Sequence, residues 1–179
     1  MKAVAFLRAV NVGGTGKLAM AELKLLAEDF GLINPKTLLQ SGNLIFETGA
    51  RSSAKLETLL EQQIANRLAV QTDVMVRSAE QIRSAMKRNP FMKEAKSDPG
   101  RVHVHFIKGM TDTAAVASLT KAIKGPERVG GTGSEVFIYY PEGAGASKLT
   151  GAVIERHLGS RGTSRNWNTV TKLAALTAD

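Results

Sequence analysis

The sequence predicts an α+β protein built as a tandem repeat of two ferredoxin-like units, each a βαββαβ alpha-beta plait followed by one extra helix. Two observations predict it. The order of strand-like and helix-like patterns over residues 1–88 recurs over residues 102–179, and a matching cap sequence opens the extra helix at the end of each copy. A chain of 179 residues, 43% hydrophobic and 22% charged, has the size and make-up of one generous globular domain or two small ones, and one larger mixed sheet is the alternative to two plaits.

In the first copy, Ala3–Leu7 is an apolar run ending at a Gly-rich loop, the pattern of a buried strand. Met20, Leu23, Leu26 and Phe30 recur at helical spacing, with Gly31 placed to cap the helix. Lys36–Gln40 and Leu44–Glu47 flank Ser41-Gly42-Asn43, which reads as a hairpin turn. Leu56, Leu59, Leu60, Ile64 and Leu68 mark one face of the second helix, and Thr72–Arg77 alternates as the closing strand.

The second copy repeats that order. Val102–Ile107 is a strand, and Val116, Leu119 and Ile123 lie on a helix that Gly125-Pro126 ends. A hairpin runs from Glu127 through Gly130–Ser134 to Tyr140, Lys148–Leu158 is helical, and Thr163–Arg165 is a short last strand. The extra helices open at Arg77-Ser78-Ala79-Glu80-Gln81, with a Ser-x-x-Gln capping box, and at Arg165-Asn166, with Asn166 as N-cap. Residues 89–101, with Pro90, Pro99 and Gly100, are expected to link the domains 1–88 and 102–179.

Composition narrows the function. With no cysteine the chain has no disulfide, thiol nucleophile or cysteine zinc site. No apolar stretch is long enough to span a membrane and the N-terminus lacks a secretory pattern, so a cytoplasmic protein is expected. The net charge is +8, and its surplus lies in two places. Residues 77–101 hold seven Lys/Arg against three Asp/Glu, and residues 148–172 hold five against one. Such surfaces are either solvated helix faces or footprints for phosphate, nucleotide or nucleic acid.

Two polar motifs follow. Asn11-Val12-Gly13-Gly14-Thr15-Gly16-Lys17 joins a strand to a helix, the context of an anion cradle. It departs from a Walker loop, with Asn11 at the first glycine position and Leu18 where the metal-binding hydroxyl belongs. A βα loop and the β2–β3 hairpin share one end of a plait, so Arg8, Asn11, Gln40, Ser41 and Asn43 are expected to converge. The second motif, Arg165-Asn166-Trp167-Asn168-Thr169-Val170-Thr171-Lys172, sets the only Trp between two Asn and two cations, suited to an anion or a planar base. His103 and His105 share a strand face without a neighbouring acid, so no metal site is expected. No G-x-S-x-G or H-E-x-x-H motif occurs, and neither polar motif contains a carboxylate to serve as a base.

Leu7-Arg8-Ala9-Val10-Asn11-Val12-Gly13-Gly14, Met20-Ala21-Glu22-Leu23, Gln40-Ser41-Gly42-Asn43, Ser147-Lys148-Leu149 and the Arg165–Leu173 segment together resemble the bacterial domain-of-unknown-function 1697 family. Ala9 stands where many members carry Gly. The resemblance implies a tandem alpha-beta plait and no established activity.

The expectation for function is therefore a site between the two units for a phosphorylated or anionic small molecule, a nucleotide among the candidates, without cofactor or metal. Its residues are Arg8, Asn11, Gly13, Gly14, Gln40, Ser41, Asn43, Lys148, Arg165, Asn166, Trp167, Asn168 and Lys172. RNA or DNA binding through the basic helices is one alternative, although Phe46 is the single aromatic where an RNA-recognition strand carries several. A metal-independent enzyme acting on a phosphorylated substrate is the other.

Overall fold

The computed structural model describes residues 1–14, 16–49 and 52–178. The chain divides into two packed units, Met1–Arg83 with Leu173–Asp179, and Ser84–Lys172. The divisions fall inside helices: α3 (Ala79–Lys87) leaves the first unit, and α7 (Trp167–Leu176) returns to it.

In the first unit β1 (Lys2–Leu7), β2 (Ile33–Leu38), β3 (Asn43–Glu47) and β4 (Val74–Ser78) form an antiparallel sheet in the order β2-β3-β1-β4. Alternation along β1 sends Ala3, Ala5 and Leu7 into one core with Leu44, Phe46 and Val76. There they meet Leu23 and Leu26 of α1 (Met20–Asp29), and Leu56, Leu60 and Ile64 of α2 (Ser53–Leu68). Burial of these side chains removes about 1.5–3 kcal/mol of apolar hydration cost for each large one.

In the second unit β5 (Val102–Thr111), β6 (Arg128–Gly130), β7 (Gly133–Tyr139) and β8 (Gly162–Asn166) take the order β6-β7-β5-β8, again antiparallel. Ile107, Val136 and Ile138 pack against Leu119 of α5 (Thr113–Ala122) and against Ile154 and Leu158 of α6 (Gly151–Leu158). The registers correspond: Val4 pairs with Arg77 and Leu7 with Val74, as Val104 pairs with Arg165 and Ile107 with Gly162.

One device recurs at the closing strands. β4 and β8 are edge strands, so half their N–H groups face away from the sheet. Glu61 and Glu57, one turn apart on α2, accept the N–H groups of Val74 at 2.7 Å and Val76 at 2.8 Å. A helical turn rises about 5.4 Å and two strand residues about 6.6 Å, so the i,i+4 pair fits the i,i+2 pair. In the second unit Glu155 of α6 accepts the N–H of Gly162 at 3.2 Å, the position equivalent to Val74.

Several expected boundaries move for local reasons. β2 covers Ile33–Leu38 rather than 36–40, because Leu39 turns into the left-handed region at φ +61° and a bulge lies between Ile33 and Lys36. α6 starts at Gly151, capped by the Thr150 hydroxyl, which leaves Lys148 in the preceding loop. Residues 89–101, expected as a linker, instead carry α4 (Met92–Ser97) and a 3₁₀ turn (Pro99–Arg101), with Asn89, Phe91 and Ala95 buried. Both caps form as expected. Ser78 N–H donates to Gln81 Oε1 at 2.8 Å and Gln81 N–H to Ser78 Oγ at 3.1 Å, and Asn166 Oδ1 accepts the Thr169 N–H at 3.0 Å.

Gly162 leaves no room for a side chain. A Cβ there would sit on the imidazole of His105 and 2.6 Å from the Phe106 carbonyl oxygen. Gly162→Ala is expected to destabilise the protein by about 1–3 kcal/mol through overpacking. Urea unfolding reads this as a lower midpoint at constant slope, and an unchanged midpoint would contradict the packing described.

Candidate functional site

In the first unit the loop after β1 closes on the β2–β3 hairpin, while the contacts of Arg8 run to Thr72 and Asp73. Leu7 N–H donates to the Gly42 carbonyl at 2.8 Å, and a Cβ on Gly42, at φ +78°, would lie 2.6 Å from Val10 Cγ2 and 2.8 Å from Leu7 Cβ. Glycine there lets the hairpin close onto the βα loop.

Asn11 and Asn43 are spent on that closure. Asn11 Oδ1 accepts the Leu18 N–H, while Asn11 Nδ2 donates to the carbonyls of Leu18 and Gln40, all at 2.8 Å. Asn43 is fully buried and donates Nδ2 to the Leu38 carbonyl at 2.7 Å and to Ser41 Oγ at 3.2 Å. An amide has two N–H donors, and both residues commit theirs. Arg8 Nη1 lies 3.7 Å from Asp73 Oδ2, and Thr72 Oγ1 donates to the Arg8 carbonyl at 2.8 Å.

Among the described residues of this loop, the glycines do not lead directly into the helix. α1 starts at Met20, so Lys17, Leu18 and Ala19 separate the glycines from the helix N-terminus. The Asn11 N–H instead closes the loop on the Gly16 carbonyl at 3.0 Å. Gly13, Gly14 and Gln40 are exposed, and a Cβ added at either glycine would meet nothing within 4 Å. Thr15 of this motif lies outside the described residues.

The C-terminal motif belongs to the second unit through Lys172. Arg165 and Trp167 are buried, Asn166 is spent as the cap, and Asn168 and Lys172 are exposed on α7. Arg165 Nη1 donates to Thr163 Oγ1 at 2.7 Å and to the Ser164 carbonyl at 2.9 Å. Burial pushes its guanidinium down to about 10, which leaves it charged at neutral pH. Arg77, at the matching register, donates to the Val76 carbonyl at 3.0 Å and lies 3.7 Å from Glu57 Oε1. The repeated arginine is thus buried in both copies.

The basic surplus of residues 77–101 is partly neutralised in the same way. Arg77, Arg88 and Arg101 stand in ion pairs with Glu57, Glu135 and Asp98. His103 is half-buried, its Nε2 3.2 Å from the Gly100 carbonyl and its ring edge-on to Tyr140. Burial lowers its pKa, favouring the neutral ring. His105 Nδ1 is hydrogen-bonded to Ser164 Oγ at 2.9 Å. Among the described residues no three His, Cys, Asp or Glu side chains gather as a metal site, and no helix is long and apolar enough to cross a membrane.

A concave site exists elsewhere in the second unit, a groove of about 640 Å³ between the end of α5, the loop before α6, and α6 itself. This volume lies within the range of about 300–1,000 Å³ for small-molecule sites. Lys124, Lys148, Arg156 and His157 supply polar or cationic walls, Glu127 and Glu142 two carboxylates, and Ile123, Leu149 and Val153 an apolar side. The loop is pinned from three sides. Ser147 Oγ donates to Glu127 Oε1 and accepts the Leu149 N–H at 3.0 Å, and Tyr140 Oη donates to the Leu149 carbonyl at 3.3 Å. Burial, and after it the Glu127 carboxylate, push the Tyr140 phenol up to about 12, so it stays a donor.

Of the residues singled out from sequence, only Lys148 lines this groove. By sequence, Glu127 opens the hairpin after the Gly125-Pro126 stop, and Arg156 and His157 fall on the Lys148–Leu158 helix without a motif of their own. A smaller groove of about 390 Å³ in the first unit carries Lys2, Lys24 and Lys36. Two of its three lysines are engaged: Lys2 Nζ donates to the Ala178 carbonyl at 2.6 Å and Lys24 lies 3.6 Å from Glu28.

A sequence model described as "Protein of unknown function (DUF1697)" matches residues 1–137. The chain belongs to this family. A conserved bacterial protein from Streptococcus pneumoniae, SP0830, has a similar fold, with a TM-score of 0.76 at 24% identity, over 99% of this chain and 98% of its own. No protein of curated function matches the chain. Ala9, next to Arg8 in the first motif, has φ +54° and is exposed.

A left-handed alanine costs about 1–2 kcal/mol, while glycine loses about 0.5–1 kcal/mol more chain entropy on folding. Ala9→Gly is therefore expected to stabilise the protein by about 0.5–1 kcal/mol. Thermal unfolding shows this as a higher Tm, and a lower Tm would refute the assigned backbone conformation.

Proposed function

We propose that the protein binds a small phosphorylated or otherwise anionic molecule in the groove of the second unit. The observation that carries this reading is the convergence of Lys124, Lys148 and Arg156 around a small-molecule-sized concavity that also has an apolar wall. Cations on a rigid helix and a pinned loop hold an anion at less ordering cost than cations on a free surface. We also read the two units as ferredoxin-like plaits derived from one ancestral copy. The shared strand order, the shared arginine register and the shared helix glutamate bonded to the closing strand support that reading.

Nucleic acid is the weaker alternative, because three of the seven cations in residues 77–101 are tied up in ion pairs. An enzymatic role on the same ligand has less support than binding. Ser118 Oγ and His157 Nδ1 are hydrogen-bonded at 2.9 Å, but Ser118 is an exposed mid-helix residue that does not line the groove.

Isothermal titration calorimetry with inorganic phosphate, adenosine monophosphate and a short mixed-sequence RNA tests the proposal. Phosphate and the nucleotide are expected to bind, with Lys148→Ala weakening both roughly 10- to 100-fold, as expected for a lost charge-assisted hydrogen bond of about 1.5–3 kcal/mol. Lys96→Ala, which removes an exposed charge on α4, is expected to leave affinity unchanged. Binding of RNA alone, or small-ligand binding indifferent to Lys148→Ala, would overturn the reading.

A further inference from the structure

The groove contains a feature that a plain phosphate site would not favour. Glu127 lines it among the cations, and its carboxylate repels an incoming anion. Its position is nonetheless built. Ser147 Oγ donates to Oε1, and Gly125 leaves room for the other carboxylate oxygen, which a Cβ on residue 125 would displace. Two separate elements, the turn after α5 and the loop before α6, thus hold the Glu127 carboxylate in place in a groove lined by three Lys/Arg and by a second acid, Glu142, for which no such contact is seen among the described residues.

A carboxylate only accepts hydrogen bonds, so a ligand that fits this wall must bring donors as well as an anion. The apolar side of Ile123, Leu149 and Val153 asks in addition for a flat or hydrophobic body. Hydroxyl donors, a phosphate and a planar apolar group occur together in a ribonucleotide, and an acidic side chain is a common acceptor for ribose hydroxyls. Resting on the groove as the binding site, we propose that Glu127 recognises the ribose hydroxyls of a nucleoside phosphate and makes the groove selective for ribonucleotides. Ser147 acts through Glu127 as a positioning residue.

The test compares three probes by isothermal titration calorimetry on the full chain: adenosine monophosphate, its 2′,3′-dideoxy counterpart and inorganic phosphate. Wild type is expected to prefer adenosine monophosphate over the dideoxy compound roughly tenfold or more. Glu127→Gln keeps the size of the side chain and an oxygen to accept from Ser147. It is expected to lose that preference while binding inorganic phosphate as tightly as wild type or more tightly, since one repelling charge is gone. Ser147→Ala, which leaves the carboxylate but frees it, is expected to reduce the preference in the same direction, and circular dichroism confirms that each variant folds.

Equal binding of the two nucleotides by wild type, or an undiminished preference in Glu127→Gln, would overturn the role of Glu127. If phosphate binding still depended on Lys148 in that case, the groove would stand as the anion site. Failure of all three probes to bind would remove both proposals.

Discussion

The open edge of the closing strand is the constraint on which each unit depends. A four-stranded sheet in the observed order leaves β4 and β8 with outward N–H groups, and each buried donor left unpaired costs about 1–3 kcal/mol. Helix carboxylates meet that demand, Glu57 and Glu61 in the first unit and Glu155 in the second. The same bonds fix how the second helix of each unit is rotated about its axis. With Glu155 turned to the strand edge and Ile154 and Leu158 in the core, helical geometry turns Arg156 and His157 away from both, while Val153 still packs against the core. The side bearing Arg156 and His157 is a wall of the groove. A backbone requirement at β8 thereby positions the cation that the proposed ligand would meet.

The motif richest in polar side chains has the other role. Asn11 and Asn43 saturate their amides with backbone carbonyls and a hydroxyl, so they hold a loop and a hairpin together. Ala9, Asn11 and Leu39 all adopt positive φ in this region. Such backbone costs about 1–3 kcal/mol per residue and persists only where surrounding bonds over-determine it. Asn11, pairing with both the N–H and the carbonyl of Leu18, supplies that determination. A sequence signature can thus record a demanding turn rather than a ligand.

Local signals were legible in the sequence and non-local ones were not. The Ser78–Gln81 box and the Asn166 cap depend on residues three apart, so spacing alone identified them. The strand and helix order of both units was equally readable from apolar periodicity. Residues 89–101 misled because Pro90, Pro99 and Gly100 punctuate a segment whose Phe91 and Ala95 are buried by contacts that composition does not reveal. Arg165 and Trp167 looked like ligand contacts because burial of an arginine leaves no trace in sequence. The groove escaped notice for a related reason: Lys124 and Arg156 are brought together only by the packing of α5 against α6, and neither belongs to a local motif.

The edge clamps are tested most directly by amide hydrogen exchange of the native protein, read residue by residue by NMR. The account predicts that Val74, Val76 and Gly162, although on edge strands, exchange as slowly as amides paired inside their sheets. In Glu61→Ala, protection is expected to collapse at Val74 first. Exchange of these three amides in wild type at the rate of an open loop would contradict the carboxylate clamp and the helix placement derived from it.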